Sequence, residues 1–173
     1  NDAGTVTITT NTAATGTISS TFWAYDVWAD STSTAWVAGY NTGTGKQNIF
    51  YTSDSGASWT QQYDVSAGIF SDLYFLPGNN TGWAVETSGA VLRTTNAGGT
   101  WTAVAALGAG VVGTYSQVWF LNANVGFITG DSGSGANDKF FTTVDGGVHW
   151  TKRSVTGMNG AMSFYRNSGV VGG

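Results

Sequence analysis

Three strings of eight residues, "TSDSGASW" at 52–59, "TTNAGGTW" at 94–101 and "TVDGGVHW" at 143–150, share the pattern Thr-x-(Asp/Asn)-x-Gly-x-x-Trp. Trp59, Trp101 and Trp150 stand 42 and 49 residues apart. A second set of strings recurs in phase with them: "DVWADSTSTAWVAG", "DLYFLPGNNTGWAV", "QVWFLNANVGFITG" and "AMSFYRNSGVVGG". Their anchors Val27, Leu73, Val118 and Met162 are separated by 46, 45 and 44 residues. Two unrelated markers with one period of about 45 residues describe a chain built of repeats, each too small to bury its own apolar surface.

Within a period the apolar residues alternate with polar ones in short runs, bounded by Gly, Asn, Asp and Ser, and no run carries a helical stripe. In the first unit this predicts strands near 22–29, 34–40, 47–53 and 58–64. Four strands per unit at this period predict an all-β chain, a β-propeller of four-stranded antiparallel blades. The expected organisation is an N-terminal strand segment over 1–20 and blades over 21–66, 67–110 and 111–157, with a partial fourth over 158–173. The box accounts for its own composition. Asp or Asn accepts hydrogen bonds from backbone N–H groups a residue or two ahead, Gly takes the positive φ of a tight turn, and the Thr hydroxyl closes the network. Trp then opens the next strand with a large apolar face.

These strings resemble the Asp-box, or bacterial neuraminidase repeat, with consensus Ser/Thr-x-Asp-x-Gly-x-Thr-Trp. The resemblance covers residues 22–173, with Asn96 in place of Asp and with Ser58 and His149 in place of Thr. It implies that the box lies between the third and fourth strands of each blade, on the outer edge and away from the ligand-binding face. On that footing Thr52, Asp54, Gly56 and Trp59, Thr94, Asn96, Gly98 and Trp101, and Thr143, Asp145, Gly147 and Trp150 are structural residues.

The catalytic chemistry of Asp-box enzymes is poorly supplied. Sialidases need an arginine triad, a Tyr nucleophile paired with Glu, and usually an Arg-Ile-Pro motif; the chain has three arginines, one Glu and one Pro. Xyloglucanase-like relatives need two carboxylates facing across a cleft. Asp26 and Asp72 recur at the start of their blades, but Gln117 and Ala161 hold that place afterwards. His149 is the only His, and its place inside a box marks it as a turn-flanking residue. The loop containing Asp131 and Asp138 matches no spaced calcium pattern, and "NNT" at 79–81 is an isolated glycosylation sequon. A non-enzyme without cofactor or metal is expected.

Only 9% of the residues are charged, against about 25% in an average domain. With a net charge of −4 and no basic run longer than two, neither nucleic acid nor an anionic membrane is an expected partner. Photosystem-assembly and sortilin-like propellers also resemble the repeat, but the basic character of the first and the cysteines of the second are missing. Trp28, Trp36, Trp83, Trp119, Phe75, Phe120 and Phe127 fall at repeating positions and read as packing between blades. Trp23, Tyr25, Tyr40, Tyr63 and Tyr115 break the repeat and are the candidate contact surface.

Three boxes leave the fourth unit with two strands, and an open ring exposes blade faces and strand edges. Three completions are open: the alternating segment "TVTITTNTAATG" closes the ring within one chain, it inserts into a neighbouring molecule, or further blades come from a second copy or a longer polypeptide. The expected function is a non-catalytic structural or interaction protein, extracellular or at the cell surface, that assembles with itself as filament, layer or ring, or serves as an adhesive scaffold. The alternative is a carbohydrate-active propeller, lectin-like or hydrolytic, with glycans as partners.

Overall fold

The computed structural model describes residues 18–107, 117–130 and 139–153. They form three four-stranded antiparallel sheets, each using its strands in chain order. The first sheet comprises β1 (Phe22–Ala29), β2 (Ala35–Asn41), β3 (Lys46–Thr52) and β4 (Thr60–Val65). The second comprises β5 (Phe70–Phe75), β6 (Gly82–Glu86), β7 (Ala90–Thr94) and β8 (Thr102–Ala106). The third comprises β9 (Gln117–Phe120), β10 (Gly126–Gly130), β11 (Lys139–Thr143) and β12 (Thr151–Arg153). The expectations for the segment 1–17, Tyr115, the Asp131–Asp138 loop and the partial blade with Ala161 and Met162 lie outside the described residues.

The middle strands explain the stacking. Every residue of β6 is buried, as are Trp36, Val37, Ala38 and Gly39 of β2, so the central part of each of these sheets is covered on both faces. One apolar layer joins Trp36, Ala38 and Ile49 of the first sheet to Phe70, Leu73, Phe75, Ala84, Leu92 and Trp101 of the second. The next joins Tyr74, Trp83, Val85 and Val91 of the second to Val118, Phe120, Ile128 and Phe141 of the third. The first strands β1, β5 and β9 lie side by side. The fourth strands therefore lie at the opposite edges.

Strand registers make the repeats comparable residue by residue. Trp28 lies opposite Trp36, Tyr74 opposite Trp83, and Trp119 opposite Phe127. The register slips between Ala24 and Asp26 in β1 and between Phe70 and Asp72 in β5, a bulge that re-aims the carboxylate that follows it.

Candidate functional site

Each box occupies the turn between the third and fourth strands of its sheet. In the first, Thr52 Oγ1 donates to Asp54 Oδ1 at 2.7 Å and accepts from the Gly56 N–H at 2.9 Å. Asp54 in turn accepts from the Ser58 N–H at 2.9 Å and from its hydroxyl at 2.6 Å. The same ring recurs at Thr94, Asn96, Gly98 and Thr100 and at Thr143, Asp145, Gly147 and His149. The acid thus spans four residues rather than one or two. The reason is that the fourth and fifth box positions both take positive φ, Gly146 at 75° and Gly147 at 94° in the third box, which curls the chain back over the side chain. The fourth position is non-glycine in the first two boxes, Ser55 at 62° and Ala97 at 55°, a conformation that the box must impose. Thr143 is only 2% exposed, so Thr143→Val should strand the backbone N–H groups it serves. An expected loss of about 1–3 kcal/mol would be checked by denaturant unfolding.

The box also holds two sheets together, which its hairpin chemistry alone does not suggest. Trp36, on the second strand of the first sheet, stacks on Phe75 at 3.9 Å, and its indole N–H donates to the Ala97 carbonyl in the second box at 3.1 Å. Trp83 repeats this one sheet on, stacking on Phe120 at 3.5 Å and donating to the Gly146 carbonyl in the third box at 2.9 Å. Gln62 Nε2 donates a further hydrogen bond to the Ala97 carbonyl at 2.8 Å. Gly98 takes a φ of 83°, which favours glycine, and a Cβ there would displace the Gln62 amide, 1.8 Å from its Oε1. Phe75 and Phe120 are seated over Gly82 and Gly126, whose missing side chains leave the room.

A second joint runs along the first strands. Asp26 Oδ2 accepts from the Leu73 N–H at 2.7 Å, and Asp72 Oδ2 accepts from the Val118 N–H at 2.6 Å. Each carboxylate reaches the residue that follows its own counterpart in the next sheet. Burial pushes the Asp72 carboxyl up to about 7, against the Val118 N–H and helped by the charge of Asp26. Asp26 is also raised, chiefly by burial. The two carboxyls titrate together, so the proton that burial favours belongs to the pair. The two acids that recur in the sequence are therefore clamps between sheets. Among the described residues no group of three or more acids or histidines could hold a metal ion.

No protein-family model matches the chain, and the comparison with curated proteins gives no match. Among solved structures it is similar to YCF48 bound to D1 peptide, with TM-score 0.60 and 21% identity over 76% of this chain. It is also similar to YCF48 from Cyanidioschyzon merolae, with TM-score 0.56 and 19% identity over 76% of this chain. The fold is a β-propeller. The chain spans 40% and 37% of the lengths of those two propellers.

The first blade differs from the other two in two respects. Val27, Leu73 and Val118 hold equivalent places facing the preceding blade; Leu73 is 2% exposed and Val118 3%, but Val27 is 61% exposed. The first blade also lacks the Phe-over-Gly pair of the others. Ala29 and Ala35 stand there instead and, with Thr52, Ser55, Gly56 and Trp59, line a cavity of about 200 Å³. This hollow is the counterpart of the seats that take Trp36 and Trp83. Trp23 and Tyr25 are exposed toward the other end of β1, away from this hollow. Tyr40 is half-buried, and Tyr63 is half-buried with its ring edge against Phe70. Tyr63 thus joins the layer between the first two blades, because the register slip in β3 and β4 redirects it inward.

Proposed function

We propose that the chain is a non-catalytic interaction module of the Asp-box propeller family, working outside the cell as a subunit that assembles with itself. The observation that carries this reading is the exposed Val27 face of the first blade, set against the buried Leu73 and Val118. The occupant is a second copy of the chain, which would lay a blade face on Val27 and fill the hollow between Ala29 and Ala35. Low charge favours such face-to-face packing, since few ions must be stripped of water. What supports a non-catalytic role is that Asp26 and Asp72 both spend an oxygen on backbone N–H groups of the next blade. That a YCF48 propeller is known bound to a peptide supports polypeptide recognition by analogy of fold.

Light scattering tests the reading. The wild-type chain should elute well above its monomer mass of 17.9 kDa, and Val27→Asp should return it to the monomer with near-UV circular dichroism unchanged. A monomeric wild-type chain would defeat the self-assembly reading. A glycan-binding reading rests on a different feature, the cavity around Arg93.

A further inference from the structure

A cavity of about 260 Å³ opens at the second blade, lined by Arg93, Thr95, Asn96, Thr100, Thr102 and Val104. Arg93 lies on β7, opposite Trp83 on β6 and Thr102 on β8. Its guanidinium sits 5.6 Å from the Trp83 ring centre, and a Cβ on Gly146 would come within 2.9 Å of its Nη1. It is therefore wedged between an indole and the turn of the third box. Its Nε is buried without a hydrogen-bond partner, and among the described residues no carboxylate lies within ion-pair distance. In a chain of net charge −4, a half-buried cation without an acid is conspicuous.

Asn96 sharpens the point. The other two boxes carry Asp54 and Asp145 at this place, but the box that borders Arg93 carries an amide. Asn96 Oδ1 is used inside the box by Thr94 and Thr100, whereas Nδ2 makes one contact, at 3.4 Å, to Thr100 Oγ1. An N–H is thus left for a ligand. The cavity combines a guanidinium fork, an amide donor, three hydroxyls and the apolar side of Val104. That set suits a carboxylate carried on a polyhydroxylated ring. The fork takes the carboxylate, the hydroxyls and amide take ring hydroxyls, and the valine packs against ring C–H groups.

We propose that this cavity binds a uronic acid residue of an acidic polysaccharide. The site is built on the second blade and the third box, apart from the Val27 face, so its failure would leave the self-assembly reading untouched. The probe is trigalacturonate, followed by calorimetry and by tryptophan fluorescence, which reports on Trp83 beneath Arg93. Saturable binding is expected, weaker by about tenfold or more for the methyl-esterified trimer. Arg93→Gln should weaken it by a similar factor. Asn96→Asp should abolish it, because it removes the amide donor and places a like charge on the cavity wall that would face the bound carboxylate, while supplying the acceptors that Asp54 and Asp145 supply in their boxes; its melting temperature should match wild type or exceed it. The proposal is overturned by the absence of saturable binding at millimolar trimer, by equal binding of the esterified trimer or of acetate, or by undiminished binding in a folded Asn96→Asp variant.

Discussion

Replacing Trp83 with Ala should lower the free energy of unfolding by about 3–5 kcal/mol and the melting temperature by roughly 10 °C. Trp83 is fully buried, and its ring lies parallel to that of Phe120, 5° between planes. Truncation would remove that stack, the bond to the Gly146 carbonyl and the surface under Arg93 in one step. Trp83→Phe keeps an aromatic face but drops the indole N–H, leaving a buried carbonyl unserved; about 1–3 kcal/mol is expected. Trp23→Ala is the control, because Trp23 is 62% exposed, and it should move stability by no more than about 0.5 kcal/mol. Equal effects at Trp83 and Trp23 in thermal melts would refute the role given to the joint.

The acids should make stability depend on pH in two opposite ways. Asp72 has its carboxyl raised from 3.8 to about 7, so the fold holds a proton that the unfolded chain has lost. Its favourable contribution is complete below about pH 3.8 and disappears as pH rises through about 7, at an expected cost of about 2–4 kcal/mol. Asp54 and Asp145 behave in reverse. The Ser58 hydroxyl holds Asp54 at about 2, and the His149 N–H holds Asp145 at about 2. Their contribution is present above about pH 3.8 and is lost as pH falls toward about 2. Denaturant unfolding at a series of pH values should show greatest stability near about pH 4. Asp72→Asn, which retains an acceptor for the Val118 N–H but cannot ionise, should flatten the decline above that pH. A wild-type profile that is flat between pH 4 and 8 would contradict the shared proton.

The strands and their sheets were legible because each repeat states them locally, in alternation and in turn residues. The box was legible as a turn because Thr, Asp and Gly bond within eight residues of one another. Its second role was not. The donors to the Ala97 and Gly146 carbonyls come from Trp36 and Trp83, more than a repeat away, and nothing near the box records them. Asp26 and Asp72 carried a signal, since both recur at one place in their repeats, but recurrence alone does not distinguish a clamp from a catalytic acid. Their partners are backbone N–H groups, which have no side-chain identity to read. The substitution of Ala29 and Ala35 for Phe-over-Gly is visible in the aligned repeats. It acquires meaning once Phe75 and Phe120 are seen to seat a tryptophan. Tyr63 breaks the repeat in residue type alone, since Ala105 holds its place in the second blade, where the same register slip recurs.

The joint has a direction. The first two repeats carry both halves of it, a tryptophan on the second strand to offer, Trp36 or Trp83, and a box turn to receive, about 45 residues or fewer apart within one unit, whereas the third has Phe127 in the tryptophan's place. A gene segment of the first kind, duplicated at repeat length, would therefore arrive with its own plug and its own socket, in register with whatever copy precedes it. Such a protein can gain blades by copying its first or second repeat alone, without a compensating change in the neighbours, whereas a copy of the third would bring a socket and no indole plug.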